Sequence, residues 1–150
     1  MSTLVLRAFL LGLATGGRSV TGLAAVARTT KPSALPSPWN AVAGRRGRTL
    51  LTVAAAGELV VDKLPQTPSR LAPGSLAGRT ASAVASAALL AARSGANPAR
   101  VVLPAAAGAL AGSFAGARWR AYAADRGWPA IPAALLEDAV VVSLAATATA

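Results

Sequence analysis

Leu13-Ala14-Thr15-Gly16-Gly17-Arg18-Ser19-Val20-Thr21-Gly22 is the stretch on which the reading turns. It lies inside an apolar run, residues 4–27, which would reach about 36 Å as a helix. That is enough to cross a hydrocarbon core of about 30 Å. Arg18 then falls near the middle of a span, where a charge costs at least about 2.5–3.5 kcal/mol. It persists there only by facing a partner or water. The two glycines before it mark a place where a membrane helix breaks. A half-helix starting at Ser19 would turn its free N–H groups toward an anion or a carboxylate.

The whole chain agrees with a membrane setting. Of 150 residues, 54% are hydrophobic, 40 are alanine and only 13% are charged, with mean hydropathy +0.52. A soluble domain of this size needs roughly twice that share of charge to cover its core. The charges are lopsided, 15 Lys and Arg against 5 Asp and Glu, for a net +10. The chain is too apolar for a disordered basic tail. Its arginines are too scattered for a nucleic-acid face. With no Cys and no His, disulfide scaffolds, thiol catalysis, zinc sites and histidine acid–base chemistry are excluded. No cofactor and no metal is expected. Loop arginines beside anionic headgroups are favourable, so the expected partner is the lipid bilayer, in the inner cell membrane.

Four more apolar stretches follow, at 49–64, 76–92, 101–124 and 130–150. The second span is short, about 24 Å, so it must tilt or pack inside protein. Prolines 32, 36 and 38 with Trp39, then Pro65, Pro68 and Pro73, and later Gly127, Trp128 and Pro129, punctuate the connections. Trp39 and Trp128 stand beside span ends, as interfacial anchors or as ordinary loop residues. Ala25-Val26-Ala27 resembles a signal-peptide cleavage site, but no Lys or Arg precedes the apolar run, so the first span is read as retained. The expectation is one integral membrane domain over residues 1–150, an all-α bundle of about five spans.

Orientation ties. Arg7, Lys63, Arg70, Arg79, Arg118, Arg120 and Arg126 fall on one side of five spans. Arg28, Lys31, Arg45, Arg46, Arg48, Arg93 and Arg100 fall on the other. The more basic first loop leans toward an outside N-terminus and a cytoplasmic C-terminus. The tie also permits insertion both ways and an antiparallel dimer.

Small residues recur at four-residue spacing, on one helix face: Ala8, Gly12 and Gly16; Gly78, Ser82 and Ser86; Gly108, Gly112 and Gly116. Such stripes let helix backbones approach closely. They serve packing within the chain or, as in a glycine zipper, a seam between copies, which makes a homo-oligomer an open partner.

Four of the five acidic residues sit in the spans, Asp125 being in a connection. Glu58 and Asp62 share a face of the second. Glu137 and Asp138 point about 100° apart in the fifth, with Glu137 favoured to face inward. Counted from the span ends, Arg18, Glu58 and Glu137 reach similar depth, so Arg18 is expected to pair with one or two of these carboxylates. The surplus negative charge falls to protonation, to Lys63 or Arg118, or to a bound cation. Arg18, Glu58, Asp62, Glu137 and Asp138 thus form either a latch that pins the spans or a site for protons, a small ion or solute. A small-residue helix, an arginine after glycine, a Pro/Trp loop and an acidic span occur twice, in spans one–two and four–five. With one span between, the two pairs would be inverted, as in many transporters.

The run Gly57-Glu58-Leu59-Val60-Val61-Asp62-Lys63-Leu64-Pro65, with Gly17-Arg18 and Glu137-Asp138, resembles the bacterial family catalogued as domain of unknown function 4126. The resemblance implies a multi-pass membrane protein and supplies no activity. The functional expectation is a small transporter or channel, with a structural or scaffold membrane protein as the alternative. A membrane-embedded enzyme has least support, for want of a nucleophile–base pair.

Overall fold

A computed structural model describes residues 3–61, 69 and 71–150. Among them every regular element is helical: α1 (Thr3–Gly17), α2 (Thr21–Thr29), a 3-10 turn (Pro32–Ala34), α3 (Trp39–Val42), α4 (Arg45–Val61), α5 (Pro73–Arg93), α6 (Ala99–Asp125) and α7 (Ala130–Thr149).

The first apolar run breaks where the glycines stand, and then reverses. α2 returns alongside α1: Gly22 lies against Leu11 and Thr15, and Val26 and Ala27 join Leu11 in one core cluster. The expected single crossing over 4–27 is therefore a helical hairpin with residues 18–20 at its tip. The reversal is possible because the carbonyls freed at the end of α1 find other donors. Arg79 Nη1 donates to the Gly16 and Gly17 oxygens at 2.7 and 2.8 Å, and Ser113 Oγ to Gly16 O at 3.2 Å.

Successive long helices alternate in direction. α4 opposes α2, since Glu58 sits at Ser19 and Arg48 at Thr30. α5 opposes α1, with Arg79 at Gly16 and Ala91 packed near Leu4. α6 runs with α1 and α7 against it. Thr3 and Thr149 accordingly lie at the same end, not at opposite ends as five crossings require. Inverted repetition would set α1 against α6, yet the two run parallel, so that expectation is also corrected. The α5–α6 and α6–α7 connections are tight. Gly95 (φ 62°) and Gly127 (φ 67°) take the left-handed conformation, and Ala96 N and Trp128 N donate back to Ala91 O and Ala123 O, each at 2.9 Å.

Among the described residues, α1 and α6 share the most extensive helix–helix contact. A Cβ at Gly12 would strike the Ala105 carbonyl, one at Gly16 the Ala109 carbonyl, and ones at Gly108 and Gly112 the carbonyls of Phe9 and Leu13. Gly12, Gly16, Gly108 and Gly112 are thus consumed inside the chain, while Gly116 lines a cleft further along. The third stripe divides: Ser82 donates to Ser19 O and Ser86 abuts Gly22, but Gly78 meets nothing. α4 was expected to tilt or to pack inside protein. Among its described residues none is buried, and it packs mainly on α2 and the short α3, with Leu51 against the core.

Three helices, α5, α6 and α7, are long and apolar enough to cross a membrane, and α1 is a shorter apolar helix. Large apolar side chains point outward from α4, α6 and α7: Leu103 is 78% exposed and Leu50 70%. The ends differ in charge. Arg7, Arg28, Lys31, Arg45, Arg46, Arg48, Arg93 and Arg100 gather at the end shared by Thr3 and Thr149, with no described acid among them. Glu58, Asp125, Glu137 and Asp138 all lie toward the opposite end. The hairpin breaks the seven-to-seven tie by carrying Arg7 to the more basic end.

Candidate functional site at the hairpin tip

The tip of the α1–α2 hairpin collects the charged residues. Arg18, 1% exposed, is the largest fully buried side chain. Its Nε donates to Asp138 Oδ1 at 2.8 Å, and its Nη2 bonds the same oxygen. Glu58 closes the start of α2. It accepts from Ser19 N (2.7 Å), Ser19 Oγ (2.5 Å) and Val20 N (3.1 Å). A carboxylate on these otherwise unsatisfied N–H groups also meets the positive end of the helix dipole. Arg79, buried, spans the two helices: it caps the carbonyl end of α1 and stands 3.9 Å from Glu58.

Glu137 and Asp138 both face inward, to different partners. Asp138 takes Arg18. Glu137 accepts from Arg120 Nε on α6 at 2.7 Å. Adjacent residues on α7 thereby hold two separate elements, as their ~100° separation allows. Arg18 binds the carboxylate that the sequence did not favour. The tip lies about 17 Å along α7 from Thr149 and about 11 Å from Ala130, well inside the length of that helix rather than at either end.

Three arginines thus meet three carboxylates among the described residues. For these three carboxylates Arg79 and Arg120 supply the charge that Arg18 alone would not. Arg118 is exposed and takes no such part, and Asp62 and Lys63 lie outside the described residues. Counting Arg79 and Arg120 with the loops overlooks that both stand inside the stretches 76–92 and 101–124. That position was the available signal.

Beside the cluster, α1, α6 and α7 leave a cleft of about 300 Å³, lined by Leu13, Gly116, Trp119, Val140 and Leu144, with Glu137 at its wall. Trp119 Nε1 donates to Ala133 O at 2.9 Å across its outer edge. Trp119 also meets Trp128 edge-on at 5.6 Å and stacks on Tyr122 at 6.3 Å. Trp128 therefore belongs to an aromatic group at the end opposite the basic one. Trp39 instead packs against the core at the basic end.

No protein-family model, no curated protein and no solved structure matches the chain. The resemblance noted above therefore rests on its motif residues alone: Gly17-Arg18, Glu58 to Pro65 and Glu137-Asp138.

Proposed function

We propose that this chain is a multi-pass protein of the inner cell membrane, and that its arginine–carboxylate cluster is a latch holding a re-entrant hairpin in the bundle. One observation carries the reading: a buried cluster of charges lies in the same bundle as a broad set of exposed large apolar side chains. Arg18 is 1% exposed on Asp138 while Leu103 is 78% exposed. In water that inversion would be costly in both directions; in lipid it is the stable arrangement. The basic end would face the cytoplasm.

The latch reading is supported by the way each charge is used. Glu58 and Arg79 satisfy the two helix ends that the break leaves open, and Arg18 and Arg120 tie α7 to the tip and to α6. A second reading, a small transporter or channel, draws on the cleft that reaches Glu137 and on the broken helix beside it.

One experiment separates them. In detergent, Arg18→Met alone should lower stability by about 3 kcal/mol, because the part-buried Asp138 loses the fully buried Arg18 that it binds. Arg18→Met with Asp138→Leu should restore it close to the parent, as apolar pairs commonly replace buried ion pairs without loss. The same proteins are then placed in liposomes and read for proton and cation flux. Parent flux that the stable double variant lacks would overturn the latch in favour of transport.

A further inference from the structure

The foot of α2 and α4 carries a second polar feature that the latch does not use. Arg28, Arg45 and Arg48 line a cavity of about 600 Å³ with Thr49, Thr52 and Val53. Two of the guanidinium groups are fixed in place. Arg48 Nε donates to Ala27 O at 3.0 Å and its Nη2 bonds Thr30 O, while Arg28 Nη1 donates to Thr52 Oγ1 at 3.2 Å. Arg45 completes the rim. No described acid lies at this end to balance them.

An arginine cluster of this kind matches phosphate oxygens, which guanidinium groups bind in forked pairs. The surface beside it narrows the source. Leu50 and Val53 are exposed on α4 about 7 and 12 Å deeper than Arg45, toward the hairpin tip. A free phosphate ion has no contact to make with that apolar strip, whereas a lipid offers a phosphate and then an acyl chain in the same depth order.

We propose that this pocket binds the phosphodiester headgroup of an anionic glycerophospholipid, its acyl chain lying along Leu50 and Val53. The proposal rests on the membrane reading above. Basic pockets between membrane helices on the cytoplasmic side are suited to such headgroups.

The test uses the full chain in neutral detergent, titrated with short-chain phosphatidylglycerol, phosphatidylcholine or inorganic phosphate, with the thermal midpoint as readout. Arg28→Gln/Arg45→Gln removes the two arginines that do not cap α2. Arg100→Gln, at the same end but outside the pocket, is the control. Phosphatidylglycerol should raise the midpoint of the parent and the control, and the double variant should need roughly thirtyfold more of it. Equal stabilisation by phosphatidylcholine, an unchanged response in the double variant, or inorganic phosphate acting as well as the lipid would each overturn the proposal. A chain that stays monomeric in water without detergent overturns the membrane reading itself, which is a different result.

Discussion

α6 and α4 both hold the hairpin, and they do so by opposite means. α6 lies on α1 through glycine and alanine, with backbones so close that a Cβ at Gly12, Gly16, Gly108 or Gly112 would strike the facing carbonyl. α4 lies on α2 with no buried residue at all. Two charged residues ten positions apart, about 15 Å along the helix, hold the two ends of α2, with Leu51 and the Arg28–Thr52 bond between them. Glu58 sits on the N–H end of α2 and Arg48 on its carbonyl end. Each sign matches the helix dipole it faces. α2, nine residues long, is about 13.5 Å in length, so the spacing of the pair matches the helix it brackets. In lipid there is little hydrophobic drive between helices. Association then rests either on close van der Waals contact or on polar groups that have no better partner, and this molecule uses one for each arm of the hairpin.

The contrast can be broken most severely at the seam. Gly16→Val drives a branched side chain into the Ala109 carbonyl and the Ser113 amide, backbone that cannot swing aside. It should cost about 3 kcal/mol or more, and the expected outcome is loss of monodisperse protein in detergent. Recovery at parental yield and thermal midpoint would mean that α1 and α6 are not zipped together.

Glu58→Gln tests the other arm. The amide keeps an acceptor for Ser19 but loses the charge that meets Arg79 and the α2 dipole, a cost of about 1–2 kcal/mol. Hydrogen exchange should quicken in α2 and α4 while α1 and α6 keep their protection. Uniform loosening of all four helices would erase the distinction between the two regions. The smallest effect is expected at Gly57, beside Glu58, where a Cβ meets nothing. Gly57→Ala should raise helix stability by about 0.5–1 kcal/mol, read as a small increase in the thermal midpoint. A loss there would reveal a close neighbour on that side of α4.

Much of this architecture was legible in the chain. Gly16-Gly17-Arg18 marked a break, and the break is there. The expected N–H end from Ser19, facing a carboxylate, is occupied by Glu58. Residues four apart along a helix must share a face, so the glycine stripes could be read before any contact was known. What was misread was the course after the break. A glycine pair ends a helix without saying which way the chain leaves it. The direction depends on who satisfies the freed groups, and the donors are remote: Arg79 is 62 and 63 residues from the carbonyls it caps, and Ser113 is 97 from Gly16.

Composition and periodicity by themselves determined an apolar helical chain with few charges, a broken first run and small residues at the contact faces. These follow from local rules, the cost of a charge in lipid and the 3.6-residue repeat. Tertiary packing decided the rest. It chose Asp138 over Glu137 for Arg18, drew in Arg79 and Arg120, turned one crossing into a hairpin and left α4 on the outside. Pairing among several arginines and several acids is degenerate in sequence, because any of them can match any other. Only the distances set by the folded backbone remove that degeneracy.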